Sequence, residues 1–322
     1  MAESSYKTVL ITGGAGGIGK EIAVGLAKLG WTTVVTSREK SRGEAAVTEI
    51  RNRTGNHSVG VMLADLSSKQ QIQNLAAEFT ARHNRLDVLV NNVGGLYGRR
   101  WETADGVEYT LALNHLGPFL LTHLLLPLLE KSTPSRIVNV NSEGHRAAQT
   151  VDFDAFGPAR WKRGFRIYSQ TKLANLLFTY ELARRLAHSG ITVNAVHPGI
   201  VDTQLFRRFI AERFGLLGGF VSKSTAWIAR KVAYRITKFD SVEAAAAAPI
   251  YLASSAEVAG VTGKYFDSNK QVVKTSPPSY DDALSKRVWE VSAGMTGLAS
   301  IAAQAMIAAA SPMSKISWEG RA

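Results

Sequence analysis

The sequence of 322 residues contains no cysteine, and it has few long apolar runs. The absence of cysteine excludes disulfides, thiolate metal sites and a cysteine nucleophile. The first apolar run, residues 8–11, is too short to form the core of a secretory signal peptide. We therefore expect the protein to remain in the cytoplasm, where it is made.

Acidic residues are fewer than basic ones, with 26 Asp and Glu against 38 Lys and Arg, so the formal net charge is +12. A balance of this kind attracts phosphates, anionic lipid or nucleic acid. The basic residues come in short pairs such as Arg99-Arg100 and Arg207-Arg208, not in the single tract typical of nucleic-acid binders. We expect a solvated basic surface and no nucleic-acid partner.

One stretch near the end of the chain, residues 295–313, carries no charge and is rich in alanine, which raises the question of a membrane span. Ser, Thr, Gln and Gly interrupt this stretch, and alanine contributes little transfer energy. The composition therefore favours a helix packed on the protein or on a partner subunit.

Short apolar runs alternate with longer helical patterns from the start of the chain to about residue 200. This alternation is typical of βαβ units, and it predicts an α/β fold with a single doubly wound parallel sheet and helices on both faces. The runs are almost continuously apolar, as expected for strands covered on both faces. The predicted strands are 8–12, 32–36, 59–63, 86–91, 136–141 and 191–197.

The segment 206–238 breaks this alternation because it mixes aromatic and basic residues. We predict one domain over residues 1–275, with a small substrate lobe at 203–240, and a helical extension at 276–322 in the same domain or at an oligomer contact. The lobe is predicted to be a lid over a substrate. Its composition also suits peripheral contact with an anionic membrane, and an ordinary amphipathic lid is the alternative.

A glycine-rich loop follows the first predicted strand and contains Gly13, Gly17, Ile18 and Gly19. Glycines between a strand and a helix let backbone N–H groups approach a pyrophosphate, which the helix N-terminus also attracts. At the end of the second strand, Ser37-Arg38 provides a cation for a 2′-phosphate where an acid would bind free ribose hydroxyls. This favours NADP(H), although Glu39 follows at once and could compete.

Tyr168 and Lys172 lie four residues apart in a predicted helix, 168–187, so their side chains share one face. A phenol titrates near about 10, and an adjacent ammonium and a cationic nicotinamide would lower that pKa. Tyr168 could then donate a proton to a carbonyl oxygen.

Two further polar residues accompany this pair. Ser142 ends the fifth strand, at the edge where doubly wound sheets bind their ligands, and a hydroxyl there can hydrogen-bond a reacting oxygen. Asn114 sits in an apolar helical stretch, where an amide costs stability unless it is hydrogen-bonded. The four side chains together predict a catalytic site.

The motifs resemble, in order and spacing, those of the short-chain dehydrogenases/reductases, a Rossmann-fold family, over residues 7 to 270. The residues that carry the resemblance are Thr12, Gly13, Gly17, Gly19, Asp65, Leu66, Asn91, Asn92, Val93, Gly94, Asn114, Ser142, Tyr168, Lys172, Pro198 and Gly199. Leu113–Thr122, Tyr168–Asn175 and Gly263–Phe266 are similar to the retinol dehydrogenase branch, and the protochlorophyllide reductases and the WW-domain oxidoreductase look similar there.

The resemblance implies a role for each site residue. Tyr168 would be the acid/base, Lys172 would lower its pKa and hold the nicotinamide ribose, Ser142 would orient the substrate oxygen, and Asn114 would support a proton-relay water. Asp65 and Leu66 would frame the adenine, Asn91 and Gly94 would hold the fourth strand against the cofactor, and Thr203 would reach the carboxamide. Pro198 and Gly199 would also line the cofactor site. A homo-oligomer is expected as well.

The chain departs from the family pattern at Val93 and Asn141, which replace the usual Ala and Ser. The N-terminal anchoring helix of many retinol dehydrogenases is not expected, because the first strand begins almost at the N-terminus. The stretch 143–167 is long, as in that branch. Its aromatic residues Phe153, Phe156, Trp161 and Phe165 could line a large apolar pocket.

The sequence thus predicts reversible hydride transfer between NADP(H) and a small hydrophobic alcohol or carbonyl compound of the retinoid, steroid or long-chain aldehyde kind. The main alternative is an NADP(H)-binding redox sensor or scaffold with residual dehydrogenase activity. A complete catalytic tetrad argues against that alternative. A double-bond reductase is disfavoured because the chain has no cysteine to act as a thiol donor.

Overall fold

A seven-stranded parallel sheet organises the protein in the computed structural model, which describes residues 7–160, 164–199 and 240–298. The strand order is β3-β2-β1-β4-β5-β6-β7. The strands are β1 Thr8–Ile11, β2 Thr32–Ser37, β3 Val59–Leu63, β4 Val88–Asn91, β5 Ser135–Val140, β6 Ile191–Val196 and β7 Tyr265–Phe266. The predicted doubly wound sheet is confirmed. The order reverses between β1 and β4, which opens a crevice at the carboxyl ends of these strands.

Helices cover both faces of this sheet. They are α1 Gly17–Ala27, α2 Lys40–Thr54, α3 Lys69–Arg82, α4 Tyr109–Lys131, α5 Gly164–Arg185, α6 Val242–Ser254 and α7 Asp282–Thr296. Successive residues of β1 point to opposite faces. Val9 and Ile11 pack in the core that includes residues of α1 and α6. Leu10 packs in the other core, which includes residues of α3, α4 and α5.

The helical stretch α4 changes its geometry in the middle. It begins with an α-helical turn at Tyr109–Leu111, widens to a π-helix at Ala112–Leu116 and continues as an α-helix over Gly117–Lys131. Pro118 has no N–H to donate to the carbonyl of Asn114, and its ring would clash with that carbonyl in a regular α-helix. A π-turn relieves the clash, and it leaves the Asn114 carbonyl without its usual helical partner.

The length and apolar composition of α4 would suffice to cross a membrane. However, 78% of its most apolar window is buried inside the protein. Phe119, Leu121 and Leu125 of this helix are fully buried in the core beside β4 and β5. These contacts are those of a core helix.

The helix α7 lies across α4 and α5. Trp289 packs against Phe119 and Phe178, with ring centroids 5.3 and 6.1 Å away. The Arg185 guanidinium lies 4.1 Å from the centroid of the Trp289 ring. Within the predicted extension, α7 ends at Thr296 and is followed by Gly297, which has a positive φ of 71°. The division of the chain into a domain and an extension stays a prediction, and residues 203–239 of the predicted lobe lie outside the described residues.

Candidate active site

The phosphate loop between β1 and α1 depends on glycines with two kinds of constraint. Gly13 and Gly17 have positive φ angles of 67° and 54°, which side chains rarely adopt. At Gly19, a Cβ would lie 2.5 Å from the carbonyl oxygen of Gly13, so the loop and the helix approach too closely for any side chain. Helix α1, which includes Ile18, begins after Gly16, and no side chain caps its first turn. The backbone N–H groups of that turn are thus positioned to bind an anion.

Asn92 fastens this loop to β4. Its Nδ2 donates to the Thr12 carbonyl oxygen at 2.8 Å, and its backbone N–H donates to Thr12 Oγ1 at 2.9 Å. Gly13 N–H donates to Thr36 Oγ1 at 3.0 Å. The sequence motif pointed to Asn91 for the support of this region. Asn91 instead donates into the layer behind the sheet, to Thr122 Oγ1 and Asn139 Oδ1 at 3.0 and 2.9 Å.

Two arginines flank the end of β2. Arg38 is exposed, and its Nη1 donates to the Tyr109 hydroxyl at 2.7 Å. Arg42, in the first turn of α2, is not part of the sequence prediction. It lies so close to the loop that a Cβ on Gly16 would be 2.7 Å from its Nη2. The loop therefore receives from α2 the cation that its own residues do not contain.

The neighbouring residues Ser37, Asp65 and Leu66 are all fixed by local contacts. Ser37 Oγ donates to the Glu39 carbonyl oxygen at 2.8 Å. Asp65 Oδ1 accepts from the backbone N–H and the hydroxyl of Ser67 at 2.9 and 2.7 Å. The Leu66 side chain is 2% exposed and belongs to the hydrophobic core, so it packs behind the end of β3.

Tyr168 and Ser142 form the centre of the catalytic end. The Tyr168 phenol is hydrogen-bonded to the Ser142 side chain. Burial raises the pKa of Tyr168, and the hydrogen bond to Ser142 partly opposes this rise. Ser142 Oγ accepts from Gly144 N–H at 3.1 Å, which leaves the hydroxyl proton of Ser142 to be donated elsewhere. A Cβ on Gly144 would lie 2.9 Å from the Tyr168 ring, so only glycine leaves room here.

Lys172 lies on the same face of α5 as Tyr168, as the four-residue spacing predicted. Its Nζ is 5.7 Å from the centroid of the Tyr168 ring and donates to the Val140 carbonyl oxygen at 3.3 Å. Burial lowers the pKa of Lys172 to about 8. The expected lowering of the Tyr168 pKa by Lys172 is not found: burial raises that pKa, and the hydrogen bond to Ser142 is what opposes the rise.

Asn141, the departure from the family pattern, links Ser142 to Lys172. Its Oδ1 accepts from Ser142 N–H at 2.9 Å, and its Nδ2 donates to the Lys172 carbonyl oxygen at 3.1 Å. His145 supports the same turn, because its Nδ1 lies 2.8 Å from the Ser142 carbonyl oxygen. Ser276 N–H donates to Nε2 of the same ring at 3.3 Å. The first nitrogen therefore carries the proton and donates to Ser142.

Asn114 is fully buried in the π-turn of α4. Its Oδ1 accepts from Gly95 N–H at 2.7 Å, and its Nδ2 donates to the Gly95 carbonyl oxygen at 2.8 Å. Lys172 approaches the same loop, because a Cβ on Gly94 would lie 3.5 Å from Lys172 Nζ and 3.4 Å from Asn114 Oδ1. Asn114, Gly94 and Lys172 thus meet where the sequence placed the site.

The remaining predicted residues differ in what the structure says of them. Pro198 and Gly199 follow β6, and Gly199 has a positive φ of 95°. Phe165 is 38% exposed, and its ring stacks on Tyr168 with a centroid distance of 6.4 Å. Phe156 instead is 4% exposed in the core beside Leu111, so it does not line an open pocket. Thr203 and Trp161 lie outside the described residues.

Comparisons with known proteins agree with this geometry. The family model for short chain dehydrogenases matches residues 7–213. Human retinol dehydrogenase 13 is 41% identical over 297 residues, which cover 91% of this chain and 85% of that protein. Bovine dehydrogenase/reductase SDR family member 13 is 37% identical over 301 residues, covering 92% and 75%. The Pseudomonas aeruginosa RhlG/NADP active-site complex has a TM-score of 0.64 and 27% identity, covering 83% of this chain and 97% of that one.

The chain belongs to the short-chain dehydrogenase/reductase family and lies in its retinol dehydrogenase branch. The predicted membership is confirmed. The protein is therefore an oxidoreductase of a family that binds a nicotinamide cofactor. The residues present fit such a dinucleotide, because Gly13 and Gly17 have positive φ angles, a Cβ on Gly19 would meet the Gly13 carbonyl oxygen, and two arginines lie near the end of β2.

Proposed function

We propose that this protein transfers hydride between NADP(H) and a small hydrophobic alcohol or carbonyl compound, of the retinoid, steroid or long-chain aldehyde kind. The observation that carries the proposal is the Tyr168 phenol, hydrogen-bonded to Ser142 and beside the buried Lys172 ammonium. The nicotinamide, when bound, supplies or accepts the hydride. The protein's own residues position the substrate and move the proton.

The protonation states favour carbonyl reduction. The raised pKa keeps the Tyr168 phenol protonated at neutral pH, so its O–H can be donated to a carbonyl oxygen. When a carbonyl compound is bound, the Ser142 hydroxyl donates its proton to the same oxygen in place of the Tyr168 phenol. With a pKa of about 8, Lys172 stays mostly protonated at neutral pH, and its charge stabilises the phenolate that remains after the transfer.

A screen of NADPH oxidation with retinal, steroid ketones, long-chain aldehydes and quinones tests this proposal. We expect turnover of one class, and a loss of about 10²- to 10⁴-fold in kcat for Tyr168→Phe, because the proton donor is removed. NADPH affinity should be unchanged in that variant. Turnover that does not exceed that of Tyr168→Phe for any substrate would instead favour the sensor or scaffold function.

The preference for NADP(H) rests on Arg38 and Arg42. Arg42→Ala should weaken NADPH binding by about three- to tenfold at low salt, since an exposed charged contact contributes modestly, and should leave NADH binding unchanged. Fluorescence titration measures both affinities. Arg82→Ala is the matched control, because Arg82 is an exposed arginine of α3 that pairs with Glu78. Arg38→Asp should erase the preference, and an unchanged ratio of the two affinities would refute the assignment.

Three expectations remain part of this proposal: a cytoplasmic protein, a homo-oligomer, and peripheral contact with anionic membrane. The net charge of +12 supports the last of these. A flotation assay with anionic liposomes at low salt measures it, and a protein that stays in the bottom fraction contradicts membrane contact.

A further inference from the structure

A row of three buried polar side chains runs from α7 to the catalytic end. Ser292 and His115 are fully buried, and Asn175 is 7% exposed. Ser292 Oγ lies 2.8 Å from His115 Nε2, His115 Nδ1 lies 2.9 Å from Asn175 Oδ1, and Asn175 Nδ2 lies 2.8 Å from the Asn114 carbonyl oxygen. Phe119 and Phe178 pack beside the imidazole.

The donors in this row point in one direction. The Asn114 carbonyl only accepts, so the amide of Asn175 must face it with its NH2 group and present its oxygen to His115. Nδ1 of His115 therefore carries the proton, and Nε2 is left as an acceptor that faces the Ser292 hydroxyl. The single proton of that hydroxyl has two acceptors within reach, Nε2 and the Val288 carbonyl oxygen 2.6 Å away, so the direction of the row is fixed from Asn114 to His115. Burial lowers the pKa of His115 to about 4, so the ring is neutral at physiological pH and this single tautomer persists.

The last acceptor of the row is a carbonyl with a free lone pair. Pro118 occupies the position whose N–H would bond Asn114 in a regular α-helix, and it has no N–H. The bond from Asn175 replaces the missing one and crosses from α5 to the π-turn of α4. It holds the residue whose side chain clamps Gly95 on both its N–H and its carbonyl oxygen.

Packing alone does not account for this row. Three polar groups buried among aromatic rings cost free energy unless all are paired, and apolar side chains of similar size would fill the space at lower cost. Complete pairing instead gives a rigid and directional arrangement.

We propose that Ser292, His115 and Asn175 are positioning residues that fix the backbone of Asn114 beside Lys172 through one directed chain of hydrogen bonds. This inference rests on the proposed carbonyl reduction for its effect on turnover. It makes the C-terminal helix α7, which lies outside the matched family segment 7–213, part of the support of the catalytic site.

Two substitutions at His115 separate hydrogen bonding from packing, because the variant that keeps a donor at the Nδ1 position is also the one that fills less of the volume. His115→Asn places an amide N–H near the position of Nδ1, although the side chain is smaller. His115→Gln fills more of the volume but places its amide near Nε2. We expect kcat to fall by about tenfold more in His115→Gln than in His115→Asn, the effect of one lost buried hydrogen bond, with KM for NADPH unchanged in both. Equal or reversed losses would overturn the proposal.

Two measurements without turnover complete the test. In full-length protein with 15N-labelled histidine, the His115 ring should show the Nδ1–H tautomer, assigned by its absence in His115→Asn. Asn175→Leu should speed hydrogen exchange at Gly95 N–H, which reports on Asn114. An Nε2–H tautomer, or an unchanged rate of hydrogen exchange at Gly95, would overturn the proposed chain of hydrogen bonds.

Phe178→Leu serves as the packing control. Its ring contacts the His115 imidazole edge-on at 6.4 Å but donates no hydrogen bond to the row, so it should lower the melting temperature while kcat and Gly95 exchange stay unchanged. A wild-type protein that reduces none of the screened carbonyl compounds would defeat the proposed function alone, because the tautomer and the exchange rates are read without a substrate.

Discussion

The two ends of the proposed cofactor site are built on opposite principles. At the ribose end, Arg38 and Arg42 are exposed and bring charge to a loop of backbone N–H groups. At the catalytic end, Lys172 and Asn114 are buried, and hydrogen bonds to the backbone hold both. An exposed charge is screened by salt and contributes modestly to the free energy of binding, whereas burial of a charged group shifts its pKa and fixes its position. The structure therefore separates the choice of cofactor from the chemistry.

The largest effect that this comparison predicts concerns the burial of Lys172. Its pKa falls from 10.5 to about 8 on folding, so the charged form destabilises the folded protein below pH 8. As the pH rises from 8 toward 10.5, the unfolded chain binds more protons than the folded one, and stability must rise. The full difference is on the order of 3 kcal/mol.

Denaturant unfolding at pH 7 and pH 10 measures this effect. The stability of the wild type relative to Lys172→Met should increase with pH across that interval, because all other titrating groups cancel in the difference. A relative stability that stays constant would show that the Lys172 ammonium is solvated, and the contrast between the two ends would fail.

A second prediction concerns the cradle at the ribose end. Gly19→Ala should weaken NADPH binding by roughly tenfold to a hundredfold, because its Cβ would meet the Gly13 carbonyl oxygen and overpacking of this kind costs about 1–3 kcal/mol. Calorimetric titration measures the affinity. Gly60→Ala, on β3, is the matched control because a Cβ there has nothing within 4 Å. Equal affinities in the two variants would mean that the loop adapts freely.

The smallest effect is expected at Asn141. Asn141→Ser restores the residue that the family pattern leads one to expect, but it removes the side-chain link from Ser142 N–H to the Lys172 carbonyl oxygen. We expect kcat to fall by about three- to tenfold, in line with one neutral hydrogen bond, with no change in NADPH affinity. Asn194→Ser on β6 tests the loss of an amide away from the site, and a similar fall in kcat there would argue against a specific link.

Much of the fold could be predicted from the sequence because its strands are short, apolar and buried on both faces. All six predicted strands are present, with ends shifted by at most two residues. The seventh strand, Tyr265–Phe266, was missed because two residues carry no periodic signal and its pairing partner, β6, is distant in the chain.

The catalytic residues could be predicted because their spacing has a direct geometric meaning. Tyr168 and Lys172 share a helix face, and Ser142 follows the carboxyl end of β5 by two residues. Arg42 was missed because Arg38 precedes α2, so no helical spacing relates the two arginines, and only the packing of α2 against the loop places Arg42 beside Gly16. The role of Asn92 is explained by the sheet: Asn91 is the last residue of β4 and turns toward the helix layer, so the next residue faces the loop.

The support of the site could not be predicted because it is long-range. His115 and Ser292 are 177 residues apart in the chain, and only the crossing of α7 over α4 brings them together. Local patterns carry no information about such contacts. One local signal was available: Pro118, four residues after Asn114, forecasts a disrupted helical bond at that carbonyl.

The packing of Trp289 also bears on solubility. Its indole covers Phe119 and His123 of α4 and Phe178 of α5, and Arg185 closes the far side of the ring. A chain cut before α7 would keep every residue of the catalytic tetrad, yet it would expose this aromatic face to water. Such a face promotes association, so aggregation of the shortened chain would remove activity before any change in the chemistry of the site.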